Sequence, residues 1–170
     1  MSFFDLIKER CSIRSFKSRE LSEEETRKLL KAANSAPSAG NLQSYEILAI
    51  KNQDLKDDLV EAAHGQKFLG QAPVVFVFLQ DKERSEKKYG ERAELYSIQD
   101  GAIAATYLQL AAEELGLGSC WVGAFDNKEV TKLLETEKKP LALIPVGYSG
   151  RKPSKNTGRR ELDDLVRIIE

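Results

Sequence analysis

The chain has 170 residues with 41% hydrophobic and 31% charged side chains, an ordinary globular composition that excludes a disordered chain and permits one domain with a substantial core. A formal net charge of −1 and few aromatics, none interleaved with a basic stripe, argue against a nucleic-acid partner. No segment reaches the ~18 apolar residues of a membrane span, and "MSFFDLIKER" has no signal-peptide pattern. Cys11 and Cys120 are isolated thiols expected to stay reduced, so the expected location is the cytoplasm.

In chain order, "SFFD" is a capping pattern with Ser2 as N-cap and Asp5 three residues on. It predicts a short helix to about Glu9 that buries Phe3, Leu6 and Ile7. "RCSIRSF", 10–16, is expected to be extended, which places Arg10, Ser12 and Arg14 on one side and Cys11 and Ile13 on the other. Two guanidiniums and a hydroxyl on one edge suit an anion; the alternative is a pair of solvated arginines. "SEEE" at 22–25 repeats the capping signal, and its helix must stop near Pro37.

The loop "APSAGNLQSYEI" that follows is small, polar and uncharged, as if built to let another group approach its backbone. "YEILAIK", 45–51, reads as a strand and 54–63 as a helix. "PVVFVFL", 73–79, is rich in β-branched and aromatic residues, so it is a strand buried on both faces. The segment 98–116 is helical and ends at a glycine cap, Gly116. Between Ala102 and Ala112 its only polar residues are Thr106 and Gln109, which places it either inside the core or between subunits. "SCWVGAF" is expected to be a strand, 128–135 a helix and "LALIPVGY" the last core strand. The tail 151–170 is polar and then forms a short amphipathic helix with Leu162, Leu165, Val166 and Ile169.

The alternation predicts a single layered domain over 1–170, either α/β or α+β, with helices on both faces of a small sheet. The loop after "PVGY" opens the basic run Arg151, Lys152, Lys155, Arg159 and Arg160, where Arg151 or Lys152 could join Arg10 around one phosphate. His64 is the lone histidine, Cys120 reads as a core residue, and there is no zinc spacing, dinucleotide fingerprint or hydrolase triad. Phosphate binders without acid–base machinery point to a borrowed cofactor.

Taken in order, "RCSIRSF", "APSAGNLQSY", "DGAIAATYLQLAAEELGLGSCWVGAF" and "PLALIPVGYSGRKP" resemble the FMN-dependent nitroreductase family from residue 3 to about 153. The resemblance implies an α+β fold, a mixed sheet flanked by helices, and a homodimer with a long buried central helix and FMN at the subunit interface. It implies that Arg10, Ser12 and Arg14 hold the flavin phosphate, ribityl chain and ring edge from one subunit. Pro37, Ser38, Ala39 and Asn41 would approach from the partner, with Gln43 supporting the loop. Gln66 would contact the ring, and Arg151 and Lys152 would complete the phosphate site.

The implied activity is an NAD(P)H oxidoreductase that passes hydride to nitroaromatics, quinones or other flat acceptors by a ping-pong mechanism, with NADH or NADPH as donor. The flavin carries the chemistry, with no catalytic side chain and no metal. Arg14 would favour the charge that develops on the pyrimidine edge. Ser44 and Tyr45 depart from the Pro-Trp of many relatives. The chain is short, leaving 84–97 as the covering segment and Tyr89 and Tyr96 as stacking candidates for the acceptor. The alternative is a non-catalytic FMN carrier or redox sensor of the same fold.

Overall fold

The computed structural model describes residues 2–151 and 158–170. The first helix, α1 (Phe3–Glu9), starts at a capping box in which Ser2 and Asp5 satisfy each other's backbone N–H. Only Leu6 of this helix is buried; Phe3 and Ile7 are exposed, contrary to the expectation of an apolar face. Positions 3, 6 and 7 share one helix face, but in the single chain only Leu6 finds a neighbour that covers it. Helix α2 (Glu23–Asn34) begins at a second capping box, Ser22 with Glu25, and ends three residues before Pro37.

Strand β1 (Tyr45–Ile50) leads to α3 (Gln53–Ala62), the short α4 (Phe68–Gln71) and β2 (Val74–Gln80). Next come α5 (Glu83–Tyr89), a 3-10 turn at Gly90–Arg92 and the 22-residue α6 (Ala93–Glu114). The segment 84–97 is thus helical, and the long helix starts five residues earlier than the apolar run predicts. Gly116, in the left-handed region at φ 71°, closes it. The chain continues with β3 (Gly118–Ser119), α7 (Asn127–Leu133), β4 (Pro140–Gly147) and the one-turn α8 (Leu162–Leu165), whose apolar side chains are all exposed.

The strands are ordered β1-β2-β4-β3 and their pairings are antiparallel; a single parallel bridge, Ser12 with Ser119, adds the 10–16 segment to the β3 edge. The fold is α+β, with the sheet between two helical layers. Strand β2 is buried along its whole length. Its even residues, Val74, Phe76 and Phe78, face α2 and α6 with Ile144 and Val146 of β4. Its odd residues, Val75, Val77 and Leu79, face the α3 and α7 side with Leu143. Period-two alternation therefore feeds both cores at once, and each fully buried side chain of this size contributes roughly 1.5–3 kcal/mol.

"SCWVGAF" forms a strand only at its start. Cys120 N–H reaches the Pro145 carbonyl at 3.4 Å, but Pro145 has no N–H to return. Pairing resumes at a single bridge, with Val122 and Leu143 exchanging both hydrogen bonds at 3.0 Å.

Candidate active site

The extended reading of 10–16 is correct. Ile13 N–H donates to Ser119 at 2.9 Å, and Cys11 and Ile13 pack with Phe16, Phe68 and Ala72. The opposite side carries Arg10, Ser12 and Arg14, all of which act on the thiol of Cys120. Burial pushes that thiol up; Arg14, the Ser12 hydroxyl and Arg10 pull against it. The cysteine is core, as expected, and lies 1% exposed under the three polar side chains. Neither arginine is ion-paired among the described residues, so both guanidiniums remain available to an anion.

A short ladder ties this segment to the chain leaving β4. Phe16 bridges Ser149, Lys17 N–H donates to Tyr148 at 2.9 Å, and Gly150 N–H donates to Ser15 at 2.8 Å. Arg151, two residues past Ser149, is exposed. Lys152 lies outside the described residues. Ser149 keeps a buried hydroxyl that has no hydrogen-bond partner among them, so an oxygen-rich ligand here would find a donor waiting.

The loop between α2 and β1 is held at a different place. Gly40, Asn41 and Gln43 adopt left-handed φ values of 58°, 57° and 48°. Ser38 Oγ accepts from Gln43 N–H at 3.0 Å, and the Gln43 amide donates to the side chain and carbonyl of Asn41. The anchor is Asp100 on α6, a residue that the sequence reading passed over. Its carboxylate accepts from Ala39 N–H at 2.8 Å and Ser44 N–H at 3.3 Å while only 2% exposed. The available signal was its charge, since Asp100 is the one ionic residue between 98 and 112. From α5, Arg84 Nε donates to the Leu42 carbonyl, and Tyr89 and Lys88 crowd Gly40, where an added methyl would meet Tyr89 Oη at 2.5 Å.

Gln66 donates its amide N–H groups to the Ala63 and Ala124 carbonyls, both at 3.0 Å, joining the α3–α4 turn to the segment after β3 and leaving Oε1 as the atom free to accept. Tyr89 and Tyr96 meet edge to face, with centroids 4.9 Å apart. His64 is exposed, and no group of three or more His, Cys, Asp or Glu among the described residues is arranged to hold a metal.

Within one chain the predicted residues form two groups, not one. The Ser38–Asn41 loop enters β1 beside the start of β4, because Asp81 N–H bonds Ser44 and Gln80 N–H bonds Lys139. The Arg10–Ser12–Arg14 group lies beyond β3, which pairs with the end of β4. The two occupy diagonal corners of the sheet, about 20 Å apart along the strands and about 19 Å across them.

A family model described as the nitroreductase family matches residues 7–67 and 63–148. The chain belongs to the nitroreductase family. Membership carries the oxidoreductase class with it. An FMN reductase (NADPH) of Bacillus subtilis is 32% identical over 162 residues, covering 84% of this nitroreductase-family chain and 65% of the relative. An NADPH-dependent oxidoreductase of Staphylococcus aureus is 30% identical over 155 residues, covering 84% of the chain and 61% of the relative. The chain thus spans less than two thirds of both. Among solved structures, an FMN-dependent nitroreductase of Clostridium difficile matches with a TM-score of 0.81 at 29% identity, covering 98% of each chain. NfrA2 of B. megaterium matches with a TM-score of 0.89 at 26% identity, covering 96% of this chain and 72% of its own.

Proposed function

We propose that this protein is an FMN-dependent NAD(P)H oxidoreductase that works as a homodimer and reduces flat, electron-poor acceptors such as nitroaromatics and quinones. The observation that carries the reading is the Arg10–Ser12–Arg14 group at the sheet edge, whose guanidiniums are in no ion pair among the described residues, with Arg151 two residues beyond the Phe16–Ser149 bridge. A phosphate carries close to two negative charges at neutral pH, and two or three unpaired arginines suit it. In this reading Arg10 and Arg151 hold the phosphate, with Lys152 as a further cation, Ser12 meets the ribityl chain, and Arg14 lies at the pyrimidine edge. Gln66 offers Oε1 to a ring N–H. Bound FMN would supply the two-electron chemistry, accepting hydride from a reduced nicotinamide and passing it to the acceptor in a ping-pong cycle.

Two features support a site completed across a dimer. A ligand seated at the Arg10 corner is far from Pro37, Ser38, Ala39 and Asn41 of its own chain, and a two-fold partner would bring that loop to it. The outer side of α6 exposes Leu95, Ile103 and Tyr107, interleaved with the exposed polar Gln99 and Thr106, away from the face packed on the sheet. The small side chains and left-handed backbone of the loop would then allow close approach to a flat ring. The relatives named for FMN and NADPH favour the same cofactor and donor.

An absorption spectrum of the purified protein, followed by NADH and then NADPH under nitrogen, tests the proposal. Visible flavin bands that bleach with a nicotinamide and recover on adding a quinone are the expected result. Flavin that stays oxidised with both donors would instead favour the carrier or sensor. A colourless protein that takes up no added FMN would overturn the reading altogether.

A further inference from the structure

The junction between α5 and α6 holds two cations that are in no ion pair among the described residues. At Gly90 the chain turns through φ 52°, ψ −130°, a conformation suited to glycine, and this kink swings the start of α6 back against the end of α5. The turn brings Tyr89 and Tyr96 into contact with ring planes at 88°. A cation flanks each ring: Lys88 Nζ lies 5.4 Å from the centre of Tyr89, and the Arg92 guanidinium 5.1 Å from the centre of Tyr96. Neither cation is paired with a carboxylate among the described residues, although Lys82 on the same stretch is held by Glu86 at 3.4 Å. Both side chains are exposed. Lys88 also lies directly over Gly40, where an added methyl would meet its Nζ at 2.6 Å. The patch therefore borders the loop assigned to the flavin ring.

We propose that Lys88, Arg92 and the Tyr89–Tyr96 pair form the subsite for the adenosine end of the electron donor, and that the two cations select NADPH over NADH by binding its 2′-phosphate. The inference rests on the reading of this protein as a nicotinamide-dependent flavoenzyme. The chemistry follows from the side chains. Tyr89 and Tyr96 are half-buried, and the part of a ring that faces solvent can stack on an adenine, while the 2′-phosphate adds nearly two negative charges at neutral pH. Arginine meets that phosphate with two parallel N–H donors and lysine with a point charge. NADH offers only a hydroxyl at that position. It leaves both cations hydrated rather than buried and unpaired, so it is disfavoured by lost attraction and not by a clash. The selection is accordingly graded, and it weakens as salt screens the exposed charges.

The test compares the wild type with a Lys88→Gln, Arg92→Gln double variant, which keeps much of each apolar stem and removes both charges. Flavin content is measured first, and a wild type that binds no FMN would sink the underlying reading separately. With flavin-loaded protein, the ratio of kcat/KM for NADPH to that for NADH is expected to fall roughly tenfold or more in the variant, through KM. Titration calorimetry with 2′,5′-ADP and with 5′-AMP provides a readout independent of turnover. The wild type is expected to bind 2′,5′-ADP more tightly, and the variant to treat the two alike. A flavin-loaded variant with an unchanged donor ratio, or a wild type that binds both nucleotides equally, would overturn the assignment while leaving the flavin site standing. So would a variant whose only loss is in KM for the acceptor, since the patch would then read the acceptor instead.

Discussion

Asp100 holds the backbone of Ala39 from the middle of the longest helix: its carboxylate accepts the Ala39 N–H at 2.8 Å and, with the other oxygen, the Ser44 N–H at 3.3 Å. The loop that follows α2 is thereby fixed to α6, the same helix whose outer face carries Ile103 and Tyr107. Removing the acceptor strands two partly or fully buried N–H groups. Asp100→Ala is expected to destabilise the protein by about 1–3 kcal/mol, seen as a lower urea midpoint. Asp100→Asn should lose nearly as much, because one oxygen becomes an N–H donor facing another N–H. A midpoint equal to wild type in both would mean that the loop is held by Ser38, Gln43 and Arg84 alone.

The hydroxyl of Tyr148 donates to Glu25 at 2.6 Å, and Arg19 stacks over the Tyr148 ring at 3.8 Å. Glu25 is held below the ordinary glutamate range, first by Tyr148 and then by the backbone N–H and hydroxyl of Ser22. Only the ionised carboxylate accepts all three bonds. Their contribution is therefore complete above the unfolded value of about 4.3 and is lost as pH falls through the lower folded value. Glu25→Gln should be less stable than wild type by ~0.5–1 kcal/mol at neutral pH, allowing for the half-exposed site. That gap should close as the solution is taken below about pH 4, which paired urea melts would show.

Gly147 ends β4 against a proline ring. A methyl there would meet Pro73 Cδ at 2.4 Å and Cγ at 2.9 Å, neither of which can rotate away. Gly147→Ala is expected to cost roughly 1–3 kcal/mol. Calorimetry should show the midpoint lowered by about 2–4 °C for each kcal/mol in a chain of this size. The displaced strand end would also disturb the Phe16–Ser149 bridge and with it the approach of Arg151.

Arg10→Ala tests the phosphate assignment. It removes a guanidinium that is in no ion pair among the described residues, so folding stability should change little, while FMN retention after gel filtration should fall roughly tenfold or more. Flavin content equal to wild type would exclude Arg10 from the site.

Tyr107→Asp tests the dimer. A charge at this position on the outer side of α6 should leave the fold intact, because Tyr107 is already exposed in the single chain. In sedimentation the variant should run as a monomer, and it should hold FMN less tightly if the loop of the partner completes the site. A dimeric variant with wild-type flavin content would place the interface elsewhere.

Local chemistry explains what could be read without coordinates. Capping boxes at Ser2 and Ser22 are short-range hydrogen-bond patterns, so they are visible as four-residue motifs. The burial of β2 on both faces follows from its unbroken apolar run, and the one-sided Arg10–Ser12–Arg14 group from the two-residue period of extended chain. The same local rules failed where a distant partner decides. The strand expected at "SCWVGAF" is cut short by Pro145, a residue 25 positions after Cys120. Phe3 and Ile7 look like a buried face until the neighbour available to α1 is known.

By itself, then, the order of residues determines most of the elements, the two-sided core and the inventory of candidate phosphate-binding and ring-approaching side chains, because each depends on spacing along the chain. Tertiary structure alone decides where that inventory goes. The β1-β2-β4-β3 order sends the Arg10 group and the Ser38–Asn41 loop to opposite corners, and it brings Asp100 under Ala39 across 61 residues. Such placements arise from strand pairing and helix packing over long sequence separations. No local pattern encodes them.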